Sequence, residues 1–233
     1  MLTNYSNLNE MTIDLSTFKD NHLKEKEYLI EHIELCTVTT HDFSSSNRER
    51  LLQQIEEDPD KESELQELYE KKVRILNCHF FHSSIILIYA LFENTLKELC
   101  LEIENQTSSP LSMLNLNGRT DILKFKSFFE ITSDVGDLLQ EFETFNVYRL
   151  LRNGIAHNKS QIRNNRDYNN MKNALETGIE YDDTINGFFI ESSELPIEFL
   201  EKVSNFILSL SIEIESKQFM NFSEPSEEGN LPF

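Results

Sequence analysis

The residues best suited to chemistry lie close together, in the stretch Phe145 to Lys159, FNVYRLLRNGIAHNK. On a helix turning ~100° per residue, with Arg149 as origin, Arg152, Asn153 and His157 fall at roughly −60°, +40° and +80°. Val147, Tyr148, Leu150, Leu151 and Ile155 fall between roughly 100° and 260°. One side can therefore enter a core while the other presents two guanidiniums, a carboxamide and an imidazole. The stretch contains no acid, unlike an ordinary solvated helix face, which interleaves both charges. Arg offers a planar fork of donors that matches phosphate oxygens. His gives and takes protons near neutral pH, and Asn fixes an oxygen or a tautomer without adding charge. Together these groups suit attack by an RNA 2′-hydroxyl on its own phosphate, with Arg neutralising the developing charge. That reaction needs neither metal nor cofactor.

The elements that must position these residues read as helices. With 39% hydrophobic and 27% charged residues, six Gly and five Pro among 233 residues, the chain has the composition of a helix-rich globular protein with room for a sizeable core. A formal charge of −20 at first argues against a nucleic-acid partner, because it repels the phosphate backbone. Its distribution matters more. Between Phe145 and Lys172, Arg149, Arg152, Lys159, Arg163, Arg166 and Lys172 face one acid, Asp167, so the window carries +5 and the rest of the chain −25. A local basic site on an acidic body binds RNA locally and disfavours indiscriminate binding. Cys36, Cys78 and Cys100 are odd in number and far apart, as expected of reduced thiols in the cytoplasm. The first residues lack a basic start and a long apolar run, and the longest apolar run, Ile85 to Phe92, is too short to span a bilayer. The expectation is a soluble protein with no membrane partner.

In chain order, residues 1–12 are polar and expected to fray. Helical spacing runs from about Leu15 to Val38. Ser44-Ser45-Ser46-Asn47 reads as a turn and cap leading into a helix over 48–57. Asp58-Pro59-Asp60 interrupts, and the longest helical pattern follows, from about Lys61 to Glu104, as one helix or two with a kink. Its middle must be the buried centre. His22, His32 and His41 lack ligand spacing and read as surface or core histidines. Cys78, His79 and His82 could ligate a metal, His79 and His82 sharing a helix face, but no second ligand pair lies nearby. These two read as core or interface histidines, so no metal is expected. Glu93 is an acid on an otherwise apolar face; it reads either as a partner for Arg152 or Arg149, or as the edge of the stripe. A short helix over 121–131 precedes the helix that carries the Arg and His residues, which is introduced at Asp134–Asp137 and should end near His157 or Asn158. Residues 160–172 are polar, basic and rich in Asn, suited either to RNA contact or to ordinary surface. Residues 178–181 and 188–191, about a turn at Asn186-Gly187, read as a β-hairpin. A last helix runs from about Ile197 to Glu215. The division is one helical domain over 1–220 and a disordered acidic tail over 221–233.

Arg152-Asn153-Gly154-Ile155-Ala156-His157 resembles the R-x4–6-H signature of the HEPN superfamily, including the polar residue after the Arg, and Leu91 to Leu99 (LFENTLKEL) resembles that family's earlier core helix. The resemblance spans roughly residues 70 to 215. It implies an all-α bundle of four to six helices, here with a small β-hairpin excursion, in which two protomers bring two signatures into one RNA-cleaving site. On this resemblance His157 is the general acid/base, Arg152 clamps the phosphate and Asn153 orients substrate or imidazole. Arg149, Lys159 and Arg163 contact the RNA backbone, and Glu93, where the family's acidic residue maps, positions an Arg. The resemblance further implies a metal-independent endoribonuclease acting as a homodimer in a prokaryotic toxin or antiphage defence system, with a cognate antitoxin or regulatory protein. Some family members keep the bundle without catalysis, so the alternative is an inactive bundle that binds RNA, a nucleotide or a partner protein.

Overall fold

Two long helices dominate the computed structural model, which describes residues 10–107, 111–116, 120–133, 135–217 and 219–220. Helix α1 spans Ser16–Glu57 and α2 spans Glu62–Thr107, with Asp58 and a 3-10 turn at Pro59–Lys61 between them. The break falls where expected, because Pro lacks an amide proton and its ring excludes helical geometry from the preceding residue. The rest of the order is α3 (Asp121–Thr132), α4 (Leu138–Glu141), α5 (Phe145–Asn158), α6 (Asn165–Ala174) and α7 (Glu194–Glu215). Strands β1 (Glu10–Met11), β2 (Glu180–Asp182), β3 (Gly187–Phe189) and β4 (Phe219–Met220) complete it. The protein is an all-α bundle with a small antiparallel hairpin before its C-terminal helix.

Three differences from the sequence expectations have local causes. The Ser44–Asn47 cluster does not break α1. Asn47 Nδ2 donates to the Phe43 carbonyl at 2.8 Å, and Ser44 Oγ lies 2.9 Å from the Tyr69 hydroxyl of α2. Side chains that find partners along and across the helices no longer compete to cap one. The segment leading to the chemistry-bearing helix is split, with the single turn α4 and turns at 142–144 separating it from α5. Finally, residues 10–11 pair with 219–220, so the chain closes on itself just before α1 and just after α7. Glu215 joins those ends again, its carboxylate accepting the Leu15 amide at 3.0 Å and binding Lys19 at 2.6 Å. Leu15 has no capping side chain of its own, and Glu215 supplies the acceptor that the first turn of α1 needs. The tail expected to be disordered, 221–233, lies outside the described residues.

The core forms where α2, α5 and α7 meet. Phe92 stacks on Phe145 with ring centroids 4.3 Å apart, and Phe206 of α7 lies 5.0 Å from Phe145 and 6.1 Å from Phe92. Tyr148 stacks on Phe199 at 3.9 Å. Helix α5 thus buries Phe145, Tyr148, Leu151 and Gly154, which leaves its other face for chemistry. No residue between 41 and 77 is fully buried; the distal halves of α1 and α2 form a two-helix arm held by a half-buried seam. Averaged over a window, the segment Pro59–Thr107 reaches a hydropathy of 1.6 and is long and apolar enough to cross a membrane by length and composition, with 39% of that window buried. The core helix of a soluble bundle passes the same test.

Burial also sets a pH response. His22 is 2% exposed, and among the described residues neither of its ring nitrogens is hydrogen-bonded. Burial, aided by nearby Lys26, pushes its pKa down from 6.5 to about 4. The unfolded chain therefore binds a proton that the fold refuses, and stability is lost as pH falls from about 6.5 to about 4. His82 adds to the same loss, its pKa likewise pushed to about 4 by burial and then by His79. Thermal melts of wild type and His22→Leu across this range should show the variant losing less stability on acidification. Parallel curves would exclude a buried neutral His22.

Candidate functional site

Helix α5 crosses α2 antiparallel, and the crossing gathers the polar face of α5. Arg152 is half-buried. Its Nη1 donates to Asn153 Oδ1 at 2.9 Å, and its guanidinium carbon sits 5.6 Å from the centroid of the Tyr89 ring. Cation–π attraction and the carboxamide together restrict a side chain that would otherwise sample many rotamers. Glu93 lies one turn along α2. Burial pushes its carboxyl pKa up, the Arg152 guanidinium opposes that rise, and Asp121 adds to it. The Tyr89 phenol is pushed up first by burial and then by Glu93, while Arg149 and Arg152 both pull it down. The five groups therefore share one electrostatic environment.

Arg149 is also half-buried, its Nε donating to Asn146 Oδ1 at 3.4 Å. Asn146 in turn donates to Glu143 at 3.2 Å, and Glu143 is paired with Lys126 at 2.7 Å. Among the described residues neither Arg149 nor Arg152 makes a direct ion pair, so both retain donors for an anion. The structure thus brings together Arg149, Arg152, Asn153 and Glu93.

His157, Lys159 and Arg163 stand apart from that group. His157 is exposed in the last turn of α5, five residues and roughly 7.5 Å of helix rise beyond Arg152. Among the described residues no hydrogen bond or ion pair engages its ring. Lys159 and Arg163 are exposed in the segment that follows. The helix ends at Asn158, where expected. Lys159 (φ 53°) and Ser160 (φ 60°) both adopt the left-handed conformation that L-residues rarely enter. The turn is held from several sides. The Lys159 and Ser160 amides both reach the Gly154 carbonyl, the latter at 2.9 Å; the Phe188 amide donates to the Ser160 carbonyl at 3.0 Å; and Ser160 Oγ lies 3.4 Å from His82 Nδ1. Strain of this kind persists only where surrounding contacts over-determine it.

Gly154, inside the Arg-to-His spacing, has a packing role. A Cβ there would stand 2.8 Å from Phe188 Cε1 and 3.0 Å from Ile162 Cδ1, so only Gly lets the hairpin approach α5 this closely. Register within the hairpin places Tyr181 opposite Phe188, and Arg74 anchors it to α2 by pairing with Glu180 and Glu191 and lying 4.0 Å over the Phe189 ring.

Tyr89 is the site residue that sequence reasoning missed. A signal was present: His82, Tyr89 and Glu93 are spaced i, i+7, i+11 and fall within roughly 40° of one another on a helix. Cys78 is buried, His79 exposed and His82 turned to Ser160, and among the described residues no group of three or more His, Cys, Asp or Glu could hold a metal ion. A cavity of about 520 Å³ between α1 and α2 is lined by Phe18, His22, Leu91 and Thr95 among others, and by no residue from Arg149 to His157. No protein-family model, curated protein or solved structure matches this chain.

Proposed function

We propose that this protein is a metal-independent endoribonuclease of the HEPN kind, acting as a homodimer in a prokaryotic toxin or antiphage defence system. The observation that supports it is the state of Arg152: oriented by Asn153 and the Tyr89 ring, next to Glu93, yet without a direct ion pair among the described residues. Such an Arg is pre-organised for a phosphate. In the reaction the RNA 2′-oxygen attacks the adjacent phosphorus, the bond from phosphorus to the 5′-oxygen breaks, and the 2′ proton passes to a base as another is delivered to the leaving oxygen. Arg152 and Arg149 stabilise the charge on the non-bridging oxygens. His157 moves the protons. One chain offers one imidazole on this face, so a two-fold axis beside α5 supplies both a base and an acid and completes the site. The setting is cytoplasmic, with RNA as substrate and an antitoxin or regulatory protein as the controlling partner.

The exposed ring of His157, which no hydrogen bond or ion pair engages among the described residues, favours a second reading, in which the bundle binds RNA without cutting it, since catalytic imidazoles are ordinarily oriented by a hydrogen bond. Incubating the purified protein with single-stranded RNA in EDTA separates the two. Cleavage leaving 2′,3′-cyclic phosphate and 5′-hydroxyl ends meets the first reading, while binding with no cleavage meets the second. In the same assay Arg152→Lys keeps charge and loses the bidentate fork, and activity should fall by about 10²-fold. Near-wild-type turnover in Arg152→Lys would reduce Arg152 to a diffuse charge.

A further inference from the structure

Helix α6 turns an unusual face to solvent. With Arg166 as origin, Asn169, Asn170 and Asn173 fall at roughly −60°, +40° and −20°, and all four are exposed. Tyr168 and Met171 occupy the buried side. One guanidinium and three carboxamides therefore share a single arc two turns long, without an acid, in a chain of formal charge −20. Solvated helix faces ordinarily use Glu, Lys, Gln or Arg, because Asn competes with the backbone for hydrogen bonds and lowers helix propensity. Asn169, Asn170 and Asn173, three of the four exposed Asn in this ten-residue helix, oppose local stability with no packing gain. A local choice that works against folding points to another purpose.

The helix is held firmly enough to present that face. Asn164 caps it, its side chain accepting the Arg166 amide at 2.8 Å. Tyr168 donates to Asp183 at 2.9 Å, Lys172 pairs with the same carboxylate at 2.7 Å, and Asn186 donates to Asn165 at 2.6 Å. These contacts bind α6 to the hairpin from its sides and leave the Arg–Asn row open. They also pair Asp183 with a cation, so it repels an approaching anion less. A row of positive charge alone would bind phosphates without regard to sequence. Carboxamides add a donor and an acceptor side by side, the pattern that matches base edges. Those edges are accessible in unpaired RNA and hidden in the deep major groove of an RNA duplex.

We propose that the Arg166, Asn169, Asn170 and Asn173 face of α6 is a base-reading surface for single-stranded RNA, and that it sets the sequence preference of the site on α5. Only residues 159–164 separate the two helices, and the exposed Lys159 and Arg163 in that segment hold the intervening phosphates. The inference takes its ligand, RNA, from the function proposed above, but its test is independent of cleavage. The full chain carrying His157→Ala keeps RNA intact and serves as the reference. Fluorescence anisotropy measures its binding to labelled ~12-nucleotide oligo(A), oligo(C) and oligo(U) and to a duplex of similar length.

The reference should bind single strands more tightly than duplex and rank the three sequences unequally. Adding Asn169→Ala, Asn170→Ala and Asn173→Ala should weaken the preferred sequence by about tenfold or more and flatten the ranking. Arg166→Ala should weaken all three sequences alike. Ala exceeds Asn in helix propensity, so an undiminished melt by circular dichroism excludes unfolding as the cause. Unchanged affinity and ranking in the triple variant, a uniform loss across the three sequences, or a reference that binds none of them would each overturn the inference. Cleavage by the wild-type chain with binding indifferent to α6 would remove this inference and leave the nuclease standing. Binding through α6 with no wild-type cleavage would do the reverse.

Discussion

His157→Ala is expected to abolish RNA cleavage while leaving the far-ultraviolet spectrum and the melting temperature unchanged. The structural half follows from exposure: the ring sits in the last turn of α5 and, among the described residues, no hydrogen bond or ion pair engages it, and exposed positions of this kind usually tolerate substitution within about 0.5 kcal/mol. The catalytic half follows from the chemistry of the proposed site, where His157 is the one imidazole on the polar face of α5. Loss of a general acid/base alone costs about 10²–10⁴-fold, and a symmetric site loses two such groups in one substitution. A composite site makes a second result available. Mixing His157→Ala chains with Arg152→Ala chains, after partial unfolding and reassembly, should restore part of the activity, because a heterodimer retains one copy of each group. Wild-type rates in His157→Ala would end the acid/base assignment, and a fully active species that sediments as a monomer would end the composite site.

Phe92→Ala should cost about 3–5 kcal/mol of unfolding free energy, a large share of the 5–15 kcal/mol typical of such a domain. Phe92 is fully buried and touches the rings of Tyr89, Phe145 and Phe206, so its removal opens a cavity at the junction of α2, α5 and α7. The same contacts fix the height of α5 against α2, which sets where Arg152 meets Tyr89 and Glu93. A loosened junction should therefore lower cleavage even where the variant remains folded. Urea titration measures the stability cost, and Phe92→Leu, which fills most of the space, should lose much less. A cost under about 1 kcal/mol for the Ala variant would mean that the junction collapses around the gap and that Phe92 does not set the position of α5.

The candidate site was partly legible before any coordinates. Two-faced spacing in Phe145 to Asn158 identified the helix, its apolar side and its polar side, and the left-handed Lys159 falls where that spacing stops. Glu93 stood out as an acid on an apolar face, and the structure puts it within the influence of Arg152. Tyr89 escaped notice because a Tyr in an apolar run looks like core, and its ring is in fact 2% exposed. Its second face toward the Arg152 guanidinium depends on a neighbour that sequence spacing cannot name. Ser44–Asn47 misled for the opposite reason. Their types favour turns, but Tyr69, on a helix not yet paired with α1, satisfies Ser44.

What the sequence determined by itself is local. Helical hydrogen bonds link residues four apart, so apolar periodicity, the Asp58-Pro59 break, the Asn164 cap and the polar arcs of α5 and α6 can be read along the chain. Only the tertiary structure decided which residues of α2 face Arg152, why Gly154 stands within the Arg-to-His spacing, and how the Lys159–Ser160 turn is held. Those outcomes depend on the register of one helix against another and on the hairpin that packs beneath them. Both are set by close packing of Phe92, Phe145, Phe188 and Phe206, where shape complementarity in three dimensions acts between residues with no fixed separation in sequence.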